Sequence, residues 1–238
     1  MRFIIQHCFS YLMIILVITT AVLLGANFYT AVAVVETVGS NPVTVVIDAG
    51  HGGEDGGAVS ADGVRESVIN LQIALRLNDL FHLLGTETKM TRTEDVSLHS
   101  DDHATIAAKK VSDLKNRVEL VNGVPNPLLV SIHQNMFEES KYHGMQVFYA
   151  PTGGSQSLAE TIQSITAIDP TNRRVAKPAE SIYLMQNIFC TGVLVECGFL
   201  SNPEECAKLC TDGYQKQMSL TVAAGVTDYL RKVSTNEV

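Results

Sequence analysis

Three apolar runs each end in a group able to bind or assist a metal ion: Val45-Val46-Ile47-Asp48-Ala49-Gly50 leads to His51, Leu128-Leu129-Val130-Ser131-Ile132 to His133, and Gly192-Val193-Leu194-Val195 to Glu196. A further candidate, Glu66, opens the helical pattern that follows the first run. In a parallel α/β sheet the strand ends gather along one edge, and ligands bind in the crevice outside them, so residues far apart in sequence can converge on one ion. Two imidazoles and a carboxylate are the donor set of a catalytic zinc that keeps one position open for water. Residue type alone leaves open which glutamate completes the set. The chemistry implied is metal-assisted hydrolysis.

Each candidate also has a plain reading. The glycines of Asp48-Ala49-Gly50-His51-Gly52-Gly53 let the backbone turn sharply off a strand and leave an imidazole open to a small ion, yet a glycine-rich loop can carry a histidine by accident. At the start of a helix, Glu66 is favoured by the helix dipole with or without a metal. His133, after a buried run, could be a satisfied core group. Glu196 is harder to dismiss, because a buried glutamate without a partner is costly. His82 falls on a helix, His99 and His103 in a polar loop, His143 at a turn and His7 near the N-terminus, so none of these is expected to be a ligand.

The elements that must position these groups follow from hydrophobic period. Val43 to Ile47 is continuously apolar and β-branched apart from Thr44, as expected of a strand covered on both faces. A loop with six glycines, 49–63, leads to a helix over Glu66 to Leu84, stopped by Gly85. The pattern then predicts a strand over 86–91, a polar loop over 92–110, and a helix capped at Ser112 or Asp113 that ends at Asn122-Gly123. Strands over 128–132 and 145–149 follow, then a helix over 155–168, a short strand near Ile182, and a strand over 192–195 that turns at 198–203. Last comes a long helix with Tyr214, Met218, Val222, Val226, Tyr229 and Val233 in register. Strands alternating with helices predict a single three-layer α/β domain, a mainly parallel sheet of about six strands with helices on both faces.

The 238 residues, 46% of them apolar, can bury one sizeable core. A net charge of −8 with scattered Lys and Arg excludes nucleic acid as a partner. Residues 1–40 stand apart: Tyr11 to Ala26 carries no charge, which reads as a cleaved secretory signal, with Ala31-Val32-Ala33 offering a cleavage site, or as an uncleaved membrane anchor. Residues 41–238 then form the exported catalytic domain. Export permits disulfides among Cys190, Cys197, Cys206 and Cys210, but their spacing assigns no pairing and gives no zinc site.

In order along the chain, VVIDAGHGGEDGGA, Glu66, Thr91-Arg92-Thr93, Asn116-Arg117, SIHQN at 131–135 and VECGFLSNPEE at 195–205 resemble the zinc-dependent N-acetylmuramoyl-L-alanine amidases. SIHQN, GMQVFYAP and VECGFLSN are most similar to the germination-specific, spore-cortex branch. The resemblance implies one zinc per chain held by His51, Glu66 and His133, and Glu196 as the catalytic proton carrier. The substrate it implies is peptidoglycan, cut between muramic acid and L-alanine outside the cytoplasm at the developing spore envelope. Asn135 and Arg174 are the candidate substrate contacts, with Arg173 and Lys177 nearby. Gln134, where the wider family has a small residue, is expected to narrow the cleft or bind a sugar group. With no wall-binding repeat in the chain, a protein partner or the N-terminal segment is expected to supply localisation. A carboxypeptidase is disfavoured, since its pattern places His and Glu three residues apart and here 15 separate His51 from Glu66. A vegetative autolysin and a non-catalytic wall-binding protein are the remaining alternatives.

Overall fold

A computed structural model describes residues 42–100, 105–165 and 171–237. The expected leader and its cleavage site lie outside these residues. Among the described residues, no helix is long and apolar enough to cross a membrane.

Six strands form one sheet in the order β2-β1-β3-β6-β4-β5: β1 (Thr44–Ala49), β2 (Thr88–Met90), β3 (Pro127–Asn135), β4 (Gln146–Tyr149), β5 (Lys177–Pro178) and β6 (Thr191–Phe199). The first four in that order are mutually parallel, while β4 runs antiparallel to β6 and parallel to β5. One face packs Val45, Ile47, Val130, Ile132, Val193 and Val195 under helices α1 (Glu66–Leu83), α3 (Ser155–Ser164) and α6 (Asp212–Ser234). The other packs Val46, Leu129 and Leu194 under α2 (Ile106–Asn122) and the short α4 (Tyr183–Asn187). The expected three-layer architecture is observed. It follows from strands that carry apolar residues on both faces, so that both must be covered.

Four local expectations need correction. Helix α2 begins at Ile106, capped by Thr105, whose hydroxyl accepts from Ala108 N at 3.2 Å. Ser112 and Asp113 lie inside it, buried, and bind the preceding loop instead: Asp113 accepts from Leu98 N, and Ser112 from Ser100 N. A polar side chain facing a neighbouring loop imitates a cap in sequence. The strand expected near Ile182 is the two-residue β5, and Ile182 precedes α4. The turn at 198–203 contains the end of β6 and the start of α5 (Pro203–Leu209), where Asn202 caps Glu205 N and Pro203 fills the first turn. Finally, α3 ends at Ser164; the remainder of that expectation, 166–168, lies outside the described residues.

Candidate functional site

His133 and Glu196 are directly opposite each other on neighbouring parallel strands. They point to the sheet face that also carries Asp48 and Ser131, joined by a hydrogen bond of 2.6 Å. His51 lies just beyond the end of β1 in a left-handed conformation (φ 61°), followed by Gly52 and Gly53, also at positive φ. Glu66, first residue of α1, reaches over the strand ends and is buried.

These groups converge. Glu66 Oε2 lies 3.3 Å from His51 Nε2, and Glu66 Oε1 lies 2.9 Å from His133 Nδ1. The two imidazoles meet edge to face with centroids 5.0 Å apart. Donor atoms of His51, Glu66 and His133 all fall within 4.8 Å of one another. Glycine is required where the backbone comes closest: a Cβ at Gly50 would sit 2.1 Å from His133 Nε2, and one at Gly57 2.5 Å from Glu66 Oε2. Nitrogen and carboxylate donors at this spacing suit a small divalent cation.

Electrostatics support that fit. Burial opposes charge on Glu66, but hydrogen bonds from His133 and His51 hold its carboxyl well below the usual carboxylate range. Burial also opposes protonation of His51, yet Asp55 and Glu66 raise it to about 9. A bound cation takes the place of such protons, so binding releases them. Glu196 differs from Glu66. Its Oε2 is buried without a hydrogen-bond partner, and burial pushes the carboxyl up to about 7, with Glu66 adding to the rise and His133 opposing it.

Supporting contacts that residue types alone did not reveal hold the donors in place. Asp55 Oδ2 sits 2.8 Å from His51 Nδ1, which leaves Nε2 toward Glu66. Asn70, one turn along α1, donates to Glu66 Oε1 and to Gly50 O, both at 3.1 Å. Two signals were available: an acid four residues after a histidine in a glycine loop, and an amide at i+4 from a buried glutamate. The expectation for Gln134 is corrected. Being next to His133 on a strand, it points to the opposite face, is 3% exposed, and donates to Asn70 Oδ1 at 3.2 Å rather than lining a cleft. Asn135 ends β3 with its side chain accepting from Met136 N at 2.8 Å. Arg174 packs over the ring of Phe199, whereas Arg173 and Lys177 are exposed. The four cysteines of the described residues are free.

Asp55→Asn is expected to weaken divalent metal affinity by about 10- to 100-fold, the usual effect of losing a carboxylate behind a ligating histidine. Competition with a chromophoric chelator measures it; unchanged affinity would show that His51 needs no such support.

A mainly parallel sheet with a His-Glu-His set at its strand ends, beside a glutamate whose Oε2 is buried and unpaired, fits the class of hydrolases whose strand-end donors can hold a divalent cation. Residues 45–228 match the family model described as N-acetylmuramoyl-L-alanine amidase, and the chain belongs to that family. It is thus an enzyme that hydrolyses the amide between N-acetylmuramic acid and L-alanine in peptidoglycan. The germination-specific N-acetylmuramoyl-L-alanine amidase of Bacillus subtilis is 35% identical over 187 residues, covering 78% of each chain. The CwlD amidase of Clostridioides difficile, solved in complex with the GerS lipoprotein, superposes with a TM-score of 0.77 at 39% identity, covering 79% of this chain and 98% of that one. The catalytic domain of the CwlV amidase from Paenibacillus polymyxa gives a TM-score of 0.68 at 29% identity, with coverages of 79% and 98%.

Proposed function

We propose that the chain is a zinc-dependent amidase of the spore-cortex branch, with His51, Glu66 and His133 as the zinc ligands and Glu196 as the proton carrier. The observation that carries this reading is the orphaned Oε2 of Glu196 beside a complete His-Glu-His set. When bound, the ion supplies Lewis acidity toward the scissile carbonyl and lowers the pKa of the attacking water. Glu196 takes the proton from that water and delivers it to the nitrogen of L-alanine as the C–N bond breaks. The products are the lactyl carboxylic acid of the sugar and a stem peptide with a free amino terminus. Asp55 and Asn70 keep His51 and Glu66 in their orientations throughout.

The spore role is supported by similarity to the germination-specific amidase of Bacillus subtilis, and action outside the cytoplasm by the peptidoglycan substrate of the family. The Clostridioides difficile complex supports a lipoprotein partner of the same kind. Residues 1–40 would deliver the domain to that compartment by export, by membrane anchoring, or by both.

Mass spectrometry of purified peptidoglycan incubated with the full chain tests the reading. Zinc should release intact stem peptides beginning at L-alanine, and a chelator should stop release. Release that persists in chelator would refute the zinc assignment. Cortex lacking muramic δ-lactam in a deletion strain is the expected signature of the spore role, and unaltered cortex would favour a vegetative autolysin.

A further inference from the structure

We propose that Arg174 is an anion-recognition residue of the cleft and takes a carboxylate of the stem peptide beside Glu196; this rests on the amidase reading above. Strand β4 places Gln146 directly opposite Glu196, so the two side chains share one face of the sheet. Gln146 Oε1 accepts from Arg174 Nη1 at 2.9 Å, which sets the guanidinium one side chain away from the proton carrier. Arg174 Nε donates to His143 O at 2.7 Å, and Asn172 Oδ1 accepts from Arg174 N at 3.0 Å. The guanidinium carbon lies 4.3 Å over the ring of Phe199, three residues beyond Glu196 on the same strand and fully buried.

The charge on this group is offset only through space, by Glu205 and Tyr142. Every hydrogen-bond acceptor just named is neutral, and Nη2 donates to none of the described residues. Glu205 acts on Arg174 without a hydrogen bond between the two groups among those observed, and its oxygens accept from Gly144 N and Phe199 N, each at 2.8 Å. The other buried guanidiniums differ: Arg117 is neutralised by Asp48 and Asp113, and Arg92 is consumed by backbone carbonyls. Arg174 remains half-exposed. A planar cation fixed on an aromatic platform, with one edge free, is preorganised for a carboxylate and loses little freedom on binding it. The peptide leaving Glu196 is the anionic part of the substrate, which makes Arg174 a specificity-determining contact.

The test uses two soluble muropeptides that differ in one respect, free stem-peptide carboxylates or the corresponding carboxamides. Zinc-loaded wild type is expected to favour the carboxylate form by about 10- to 100-fold in kcat/KM, mainly through KM, as loss of a charge-assisted contact predicts. Arg174→Gln should abolish the preference, with a much larger fall in kcat/KM on the carboxylate form than on the carboxamide form, and Arg174→Lys should restore part of it. Equal wild-type rates on the two substrates overturn the proposal. So does an equal loss on both in Arg174→Gln, which is the pattern of a merely structural residue supporting Gln146. If wild type releases peptide from neither substrate, the amidase reading falls and this inference with it.

Discussion

Glu196→Gln is expected to lower kcat by about 10²- to 10⁴-fold, the range associated with loss of a positioned general acid–base, while leaving bound metal unchanged. Glutamine keeps the shape of the side chain and cannot carry the proton. Because Glu196 donates to and accepts from nothing at Oε2, the substitution breaks no hydrogen bond there. Fold and metal content should therefore survive, and the two measurements separate chemistry from binding. His51→Ala gives the opposite pattern, with metal and activity lost together. Burial pushes the Glu196 carboxyl up to about 7, and a divalent ion bound by the neighbouring ligands would draw that value down. A base must be ionised to work, so kcat/KM should rise with pH along an acid limb lying at or below about 7. Retention of most activity in Glu196→Gln, at any pH, would assign proton transfer elsewhere.

Much of this site was legible in the sequence because its donors stand at strand ends, and strand ends are readable from runs of β-branched and apolar residues. His51, His133 and Glu196 each follow such a run, and the parallel topology brings them together. What residue type could not reveal was direction. Gln134 and His133 are adjacent, yet the strand's twofold alternation sends one to Asn70 and the other to the face that carries Ser131 and Glu196. Ser112 and Asp113 have the chemistry of caps but serve as tethers for the loop at 97–100, because α2 starts about two turns earlier than its polar residues suggest. In sequence, Arg174 ranks as a candidate contact ahead of Arg173 and Lys177 without a geometric reason; the fold supplies one by setting it over Phe199.

The same blindness to direction hides the residue whose loss should destabilise the fold most. Arg117 lies on α2 and is 1% exposed. Its Nη1 donates to Asp48 Oδ1 at 2.6 Å and to Ala49 O at 2.8 Å, its Nη2 to His51 O at 2.7 Å, and its Nε to Asp113 Oδ2 at 2.7 Å. One guanidinium thus neutralises a buried strand carboxylate and fixes the backbone of the histidine loop in its left-handed turn. Arg117→Met fills the space and leaves Asp48 charged and buried, a change expected to cost about 3–5 kcal/mol and weaken metal binding through the freed His51 carbonyl. The pH dependence identifies the cause. Burial opposes the charge on Asp48, but Arg117 and Ser131 prevail and lower its carboxyl to about 2. Its folded pKa is therefore below the unfolded value, so in wild type this stabilisation is present above about pH 4 and fades as pH falls toward 2. Without Arg117 the buried carboxyl rises above its unfolded value, and protonation then favours the folded state. The stability gap between wild type and variant should be widest at neutral pH and narrow steadily toward pH 3 in urea titrations. A gap that stays constant with pH would mean that Arg117 acts through packing alone, and that Asp48 does not depend on its charge.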